Sequence, residues 1–96
     1  MMEIENILKK SREIWHFKMK LPDIVIAMGT IFGDICRWTR GAKKDVATHT
    51  DQELKKELGN MIVSTVRWCD DLGYDPDECV EIALEAQKNF QKQETT

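Results

Sequence analysis

From Pro22 to Thr39 the chain offers almost no polar face. Ile24, Val25, Ile26, Met28, Ile31, Phe32 and Ile35 crowd this stretch, and its only polar stripe is Asp23, Thr30, Asp34 and Arg37. The spacing predicts a helix over roughly 22–39, and a helix apolar nearly all round belongs in a core or an interface. In 96 residues, 42% of them hydrophobic, a monomer has little core to offer. The apolar run 24–35 is also well short of the ~20 residues needed to cross a bilayer. The expectation is therefore one all-α domain over residues 1–96, a four-helix bundle that covers its surplus apolar surface by homo-oligomerisation.

Three further segments carry helical periodicity, and no strand pattern is visible. Residues 3–18 place Ile4, Ile7, Leu8, Ile14 and Trp15 on one face. Leu21-Pro22-Asp23 then breaks and restarts the chain, because proline suits the first helical turn. Residues 40–49 lack periodicity and read as a loop. Thr50-Asp51-Gln52-Glu53 is a capping box that opens a third helix, which runs to about Leu72 and stops at Gly73. Its expected core face is Leu54, Leu58, Met61, Ile62, Thr65, Cys69 and Leu72, with Glu53, Glu57, Asn60 and Ser64 on a second face directed elsewhere. Asp75 as cap and Pro76 at the first position open a fourth helix, with Val80, Ala83, Leu84 and Phe90 expected inward. Residues 91–96 are expected to fray.

Charge narrows the function classes. Residues 1–47 hold nine basic and six acidic side chains, residues 48–96 five basic and eleven acidic. An acidic C-terminal half argues against extended nucleic acid as a partner, since that binding relies on neutralising phosphates. Cys36, Cys69 and Cys79 show no C-x-x-C spacing, so neither a zinc site nor a disulfide framework is indicated. The opening Met-Met-Glu-Ile-Glu lacks the pattern of a secretory signal, and a soluble cytoplasmic protein with no membrane partner is expected.

The acids at helical spacing carry the chemistry. Residues i and i+3 share a helix face, so Glu57 points with Asn60, and Ile31 with Asp34. If the second and third helices pack antiparallel across the 40–49 loop, their oxygen atoms converge in one groove. Mg²⁺ is bound by one or two such carboxylates together with substrate phosphates. The competing reading is that Asp34 is satisfied by Arg37 at i+3. Arg37, Arg40, Lys43 and Lys44 either complement the helix C-terminus as a solvated basic loop or clamp a triphosphate. Trp15, Phe17 and Trp38 are either core residues or stacking surfaces for a base. His16 and His49 stand alone, without a recognisable catalytic partner.

Thr30-Ile31-Phe32-Gly33-Asp34, Lys56-Glu57-Leu58-Gly59-Asn60 and the turn Leu72-Gly73-Tyr74-Asp75-Pro76-Asp77-Glu78 together resemble the MazG-like all-α NTP pyrophosphohydrolases, including the dCTPase-type and dUTPase-type branches. The resemblance covers roughly residues 12–90. The family pattern is approximately E-E-x-G-E on one helix and E-E-L-G-D on the next. Here Ile31 and Asn60 stand where the family has acids, and Asp34 and Glu57 match as carboxylates. The resemblance implies a Mg²⁺- or Mn²⁺-dependent enzyme that splits a nucleoside triphosphate into monophosphate and pyrophosphate. Glu57 would be the catalytic carboxylate; Asp34, Glu57, Asn60 and Glu53 would hold metal; Arg37, Arg40, Lys43 and Lys44 would hold phosphates; and Trp15 and Trp38 would contact the base. It also implies a dimer or a dimer of dimers. The missing acids at 31 and 60 support a second reading, a non-catalytic helical oligomer that keeps the fold with a regulatory or nucleotide-binding role.

Overall fold

The computed structural model describes residues 2–40 and 50–94. Four helices follow one another: α1 (Ile4–Ile14), α2 (Leu21–Arg40), α3 (Asp51–Asp71) and α4 (Pro76–Glu94), with no strand among the described residues. Lys43, Lys44 and His49, on the expected loop, lie outside the described residues, as does the side chain of Arg40.

Local sequence accounts for most of the helix ends. The Thr50 hydroxyl accepts from the Glu53 backbone N–H at 3.2 Å, which satisfies one of the amides left over in the first turn of α3. At the other end, Tyr74 N–H donates to the Cys69 carbonyl at 2.9 Å and Gly73 N–H to the Asp70 carbonyl at 3.0 Å. This is a Schellman stop, and it needs a left-handed residue at the turn. Gly73 supplies it at φ 83°. Asp75 then accepts from Asp77 N–H at 3.1 Å, and Pro76 sets the first turn of α4 as its sequence position predicts.

The first helix is shorter than its periodicity predicts. It ends at Ile14, and Trp15 is extended at φ −117°, ψ 98°. Tertiary bonds decide this boundary. Arg12 donates to the Phe17 carbonyl at 3.2 Å, and Met19 N–H donates to Asp71 at 3.1 Å. Both hold 15–20 as an extended strap across the C-terminal half of α3. Ile14 is consequently exposed rather than inward.

α3 is the hub: α1, α2 and α4 all lie against it, and α1 also meets α4. Among the described residues the buried side chains are Ile24, Val66, Trp68 and Pro76, joined by Ser11 and Arg67. The buried stripe of α3 thus follows where α1 and α2 dock, not where its most apolar residues fall. Leu58, Ile62, Leu72, Val80, Leu84 and Phe90, expected inward, are exposed. So are Val25, Ile26 and Phe32 on α2. The chain has a radius of gyration of 16.0 Å, against about 12–13 Å for a compact domain of this length. It exposes 7717 Å², against roughly 5,700 Å² for a compact monomer of its mass. No helix among the described residues is long and apolar enough to cross a membrane.

Candidate functional site

Ala27, Thr30 and Ile31 of α2 share a pocket with Ser64, Arg67 and Trp68 of α3, while Asp34, further along α2, acts on Lys56, earlier in α3. Rising numbers on one helix meet falling numbers on the other, so the two run antiparallel. The face of α3 that carries Glu53, Glu57, Asn60 and Ser64 therefore looks into the α2–α3 groove at its acidic and serine positions. Continuing the same i+3, i+4 steps from Ser64 leads to Arg67 and Trp68. The sequence reading stopped one turn short of them.

Acids and cations interleave at one end of this groove. Lys56 Nζ lies 2.6 Å from Glu53 Oε2 and 4.0 Å from Glu57 Oε1. The hydrogen bond and charge of Glu53 raise the Lys56 pKa, with smaller contributions from Glu57 and Asp34. The Glu57 side chain is 13% exposed, much less than Glu53 at 44%. Asp34 pairs with Arg37 at 3.8 Å, one turn along α2. The carboxylates expected to hold metal thus share a neighbourhood with an ammonium and a guanidinium. Among the described residues no three His, Cys, Asp or Glu side chains converge closely enough to hold a metal ion. As arranged, the donor set fits Lys56 as its cation better than it fits Mg²⁺, which needs several oxygen atoms around one point.

At the other end lies a cavity of about 350 Å³, within the usual size range of small-molecule sites. Trp15 and Phe17 form one wall with their rings edge-on, centroids 6.0 Å apart at 88°. Trp68 belongs to the same lining. The Arg67 guanidinium lies over both tryptophans, 5.6 Å from the Trp15 ring and 5.9 Å from the Trp68 ring, within cation–π range. Burial lowers the Arg67 pKa; the charge of Asp71 opposes this and that of Arg12 adds to it. Trp38, the other tryptophan expected to contact a base, is half-buried on α2 and does not line this cavity.

A polar clasp holds the aromatic wall in place. Arg12 donates to Asp70 at 2.7 Å and also to Asp71. Arg67 donates to the Ser11 hydroxyl at 2.8 Å. The Asp71 side chain is fully buried and is also bonded by Met19 N–H. The strap bearing Trp15 and Phe17 is thereby fixed against α3. These residues escaped the sequence reading because Arg12, Asp70 and Asp71 look like ordinary solvated charges until their elements meet.

No family model matches this chain, nor does any curated protein or solved structure.

Proposed function

We propose that the protein is a nucleotide-binding helical subunit of MazG-like ancestry. It takes a base into the Trp15–Phe17–Trp68 pocket and its phosphates toward the α2–α3 groove, and it works as a homo-oligomer in the cytoplasm. One observation carries the reading: an aromatic cavity opens on the same antiparallel helix pair that bears Asp34, Glu53 and Glu57. Stacking suits any base, because every base has a π face. Self-association is supported by roughly 2,000 Å² of surface beyond that of a compact monomer, an area comparable to that of a stable homodimer interface. The exposed Val25, Ile26, Phe32, Leu84 and Phe90 supply its apolar content.

A second, hydrolytic reading, Mg²⁺- or Mn²⁺-dependent release of pyrophosphate, rests on Asp34, Glu53 and Glu57 lying near one point of the groove, and it would require a metal ion to displace the Lys56 ammonium that they now surround. The Lys56 ammonium and the residues Ile31 and Asn60 favour binding without turnover. Nucleoside mono- and triphosphates should quench the intrinsic tryptophan fluorescence of the full chain. Trp15→Ala should weaken binding about 5- to 150-fold, the loss of one stacking contact of about 1–3 kcal/mol. Absence of saturable binding by any nucleotide at millimolar concentration sinks the proposal. Pyrophosphate release by the wild type that vanishes in Glu57→Gln establishes the hydrolytic reading. An inert wild type, activated by Ile31→Glu with Asn60→Asp, establishes binding without turnover.

A further inference from the structure

The first turn of α4 carries its attachment to α3. Pro76 is buried and Cys79 half-buried, whereas the described side chains of α4 from Val80 onward are exposed. The chain reversal sets this contact: Tyr74 N–H donates to the Cys69 carbonyl at 2.9 Å, and Cys79 N–H to the Asp75 carbonyl at 3.1 Å. The last turn of α3 and the first turn of α4 thereby bring Cys69 and Cys79 to one apolar cavity, beside Met61, Val66, Val80 and Ala83. Both thiols are free and half-buried, and a side-chain hydrogen bond joins them. Cys36, also free, is on α2 and does not line this cavity.

A free cysteine packs as a small hydrophobe, and packing alone asks for no second sulfur beside it. What the pairing adds is chemistry. Two thiols held in contact react with each other as one molecule rather than two, so the entropy of bringing them together is already spent. A hydroperoxide, little larger than water, can enter the cavity they line. The Cys69 thiol is held in its protonated form by burial and by Cys79, and the thiolate is the nucleophile, so Cys79 reacts first. Its sulfur attacks a peroxide oxygen and the O–O bond breaks. The departing oxygen takes the Cys79 proton and leaves as water or alcohol, and Cys79 becomes a sulfenic acid. Cys69 sulfur then attacks Cys79 sulfur and the S–O bond breaks; the leaving hydroxide takes the Cys69 proton as a second water. Two thiols are oxidised and one peroxide is reduced.

We propose that Cys69 and Cys79 form a modification site, a dithiol that a hydroperoxide converts into an intramolecular disulfide bracing α4 against α3. The proposal is independent of nucleotide binding. The full chain is treated with hydrogen peroxide, its remaining thiols are alkylated, and it is digested with trypsin. Arg67 and Lys88 bound one peptide, 68–88, that holds both cysteines and excludes Cys36. This peptide should escape alkylation, weigh two hydrogen atoms less than its dithiol form, and regain both alkylation sites after dithiothreitol. Cys36→Ser should leave that product intact, whereas Cys79→Ser should abolish it with helical content unchanged by circular dichroism. The tie closes the short loop between α3 and α4, so the oxidised chain should unfold about 1 M higher in urea at the same protomer concentration. Three results overturn the proposal. One is peptide 68–88 doubly alkylated while Cys36 is oxidised, another is a disulfide through Cys69 or Cys79 that joins two chains, and the third is an unchanged or lower urea midpoint once the bond has formed.

Discussion

Replacing Arg12 with alanine tests the clasp that shapes the pocket. Arg12 donates to Asp70 and Asp71, and the Asp71 side chain is fully buried whereas Asp70 is 33% exposed. Without the guanidinium, the Asp71 carboxylate keeps, among the described residues, the Met19 N–H at 3.1 Å and the more distant charge of Arg67. Breaking a buried pair from one side leaves an uncompensated charge and costs about 3–5 kcal/mol. A domain of this length has about 5–14 kcal/mol in total, so Arg12→Ala should bring it near the limit of folding. In urea, with a slope of about 1–3 kcal/mol/M, the unfolding midpoint should fall by at least about 1 M. Protomer concentration must be held fixed, because self-association adds to apparent stability. Asp70→Asn is the internal control: its partly exposed carboxylate should contribute no more than about 1 kcal/mol. Removing both buried charges together, as Arg12→Met with Asp71→Leu, should recover much of the loss. The reasoning fails if Arg12→Ala shifts the midpoint no further than Asp70→Asn does. Because Arg12 also binds the Phe17 carbonyl, the same substitution should loosen the aromatic wall and weaken nucleotide binding.

Two further outcomes follow from local physics. Gly73→Ala should destabilise by about 1–2 kcal/mol in urea unfolding, the penalty of a Cβ in left-handed backbone; an added Cβ meets nothing within 4 Å, so a neutral result would refute the backbone argument. Burial first, then the neighbouring Cys79 thiol, push the Cys69 thiol up to about 11. The folded state therefore favours the protonated thiol. That contribution to stability is complete below the ordinary thiol value and is lost as the pH rises through about 11. Alkylation of Cys69 in the folded protein should accordingly lag that of the unfolded chain until strongly alkaline pH, as read by mass spectrometry. Equal rates at pH 9 would contradict it.

Much of the helical architecture was legible because its determinants are local. Thr50, Gly73, Asp75 and Pro76 act within one turn, and the capping and Schellman bonds form where those residues predict. Periodicity counts apolar residues without knowing what opposes them. It carried α1 four residues too far, since nothing within that helix announces that Phe17 and Met19 are bonded to residues on α1 and α3. It also put Leu58, Ile62 and Phe90 inside, whereas they are exposed among the described residues.

The candidate site divides in the same way. The acids at 34, 53 and 57 could be marked from spacing, since i+3 and i+4 relations are properties of one helix. Arg37 as the i+3 partner of Asp34 was one of the two sequence readings and forms at 3.8 Å, whereas Lys56, which lies against Glu53 and Glu57, was not marked. The pocket was half visible in Trp15, but its buried donors were not. Arg67 and Trp68 lie 52 residues or more from Trp15 in the chain, and only the docking of α1, the strap and α2 onto α3 brings them together. Secondary structure here follows from short-range hydrogen bonds and steric limits, which sequence encodes directly. Burial and ion pairing depend on which surfaces exclude water from one another, and tertiary structure alone decides that.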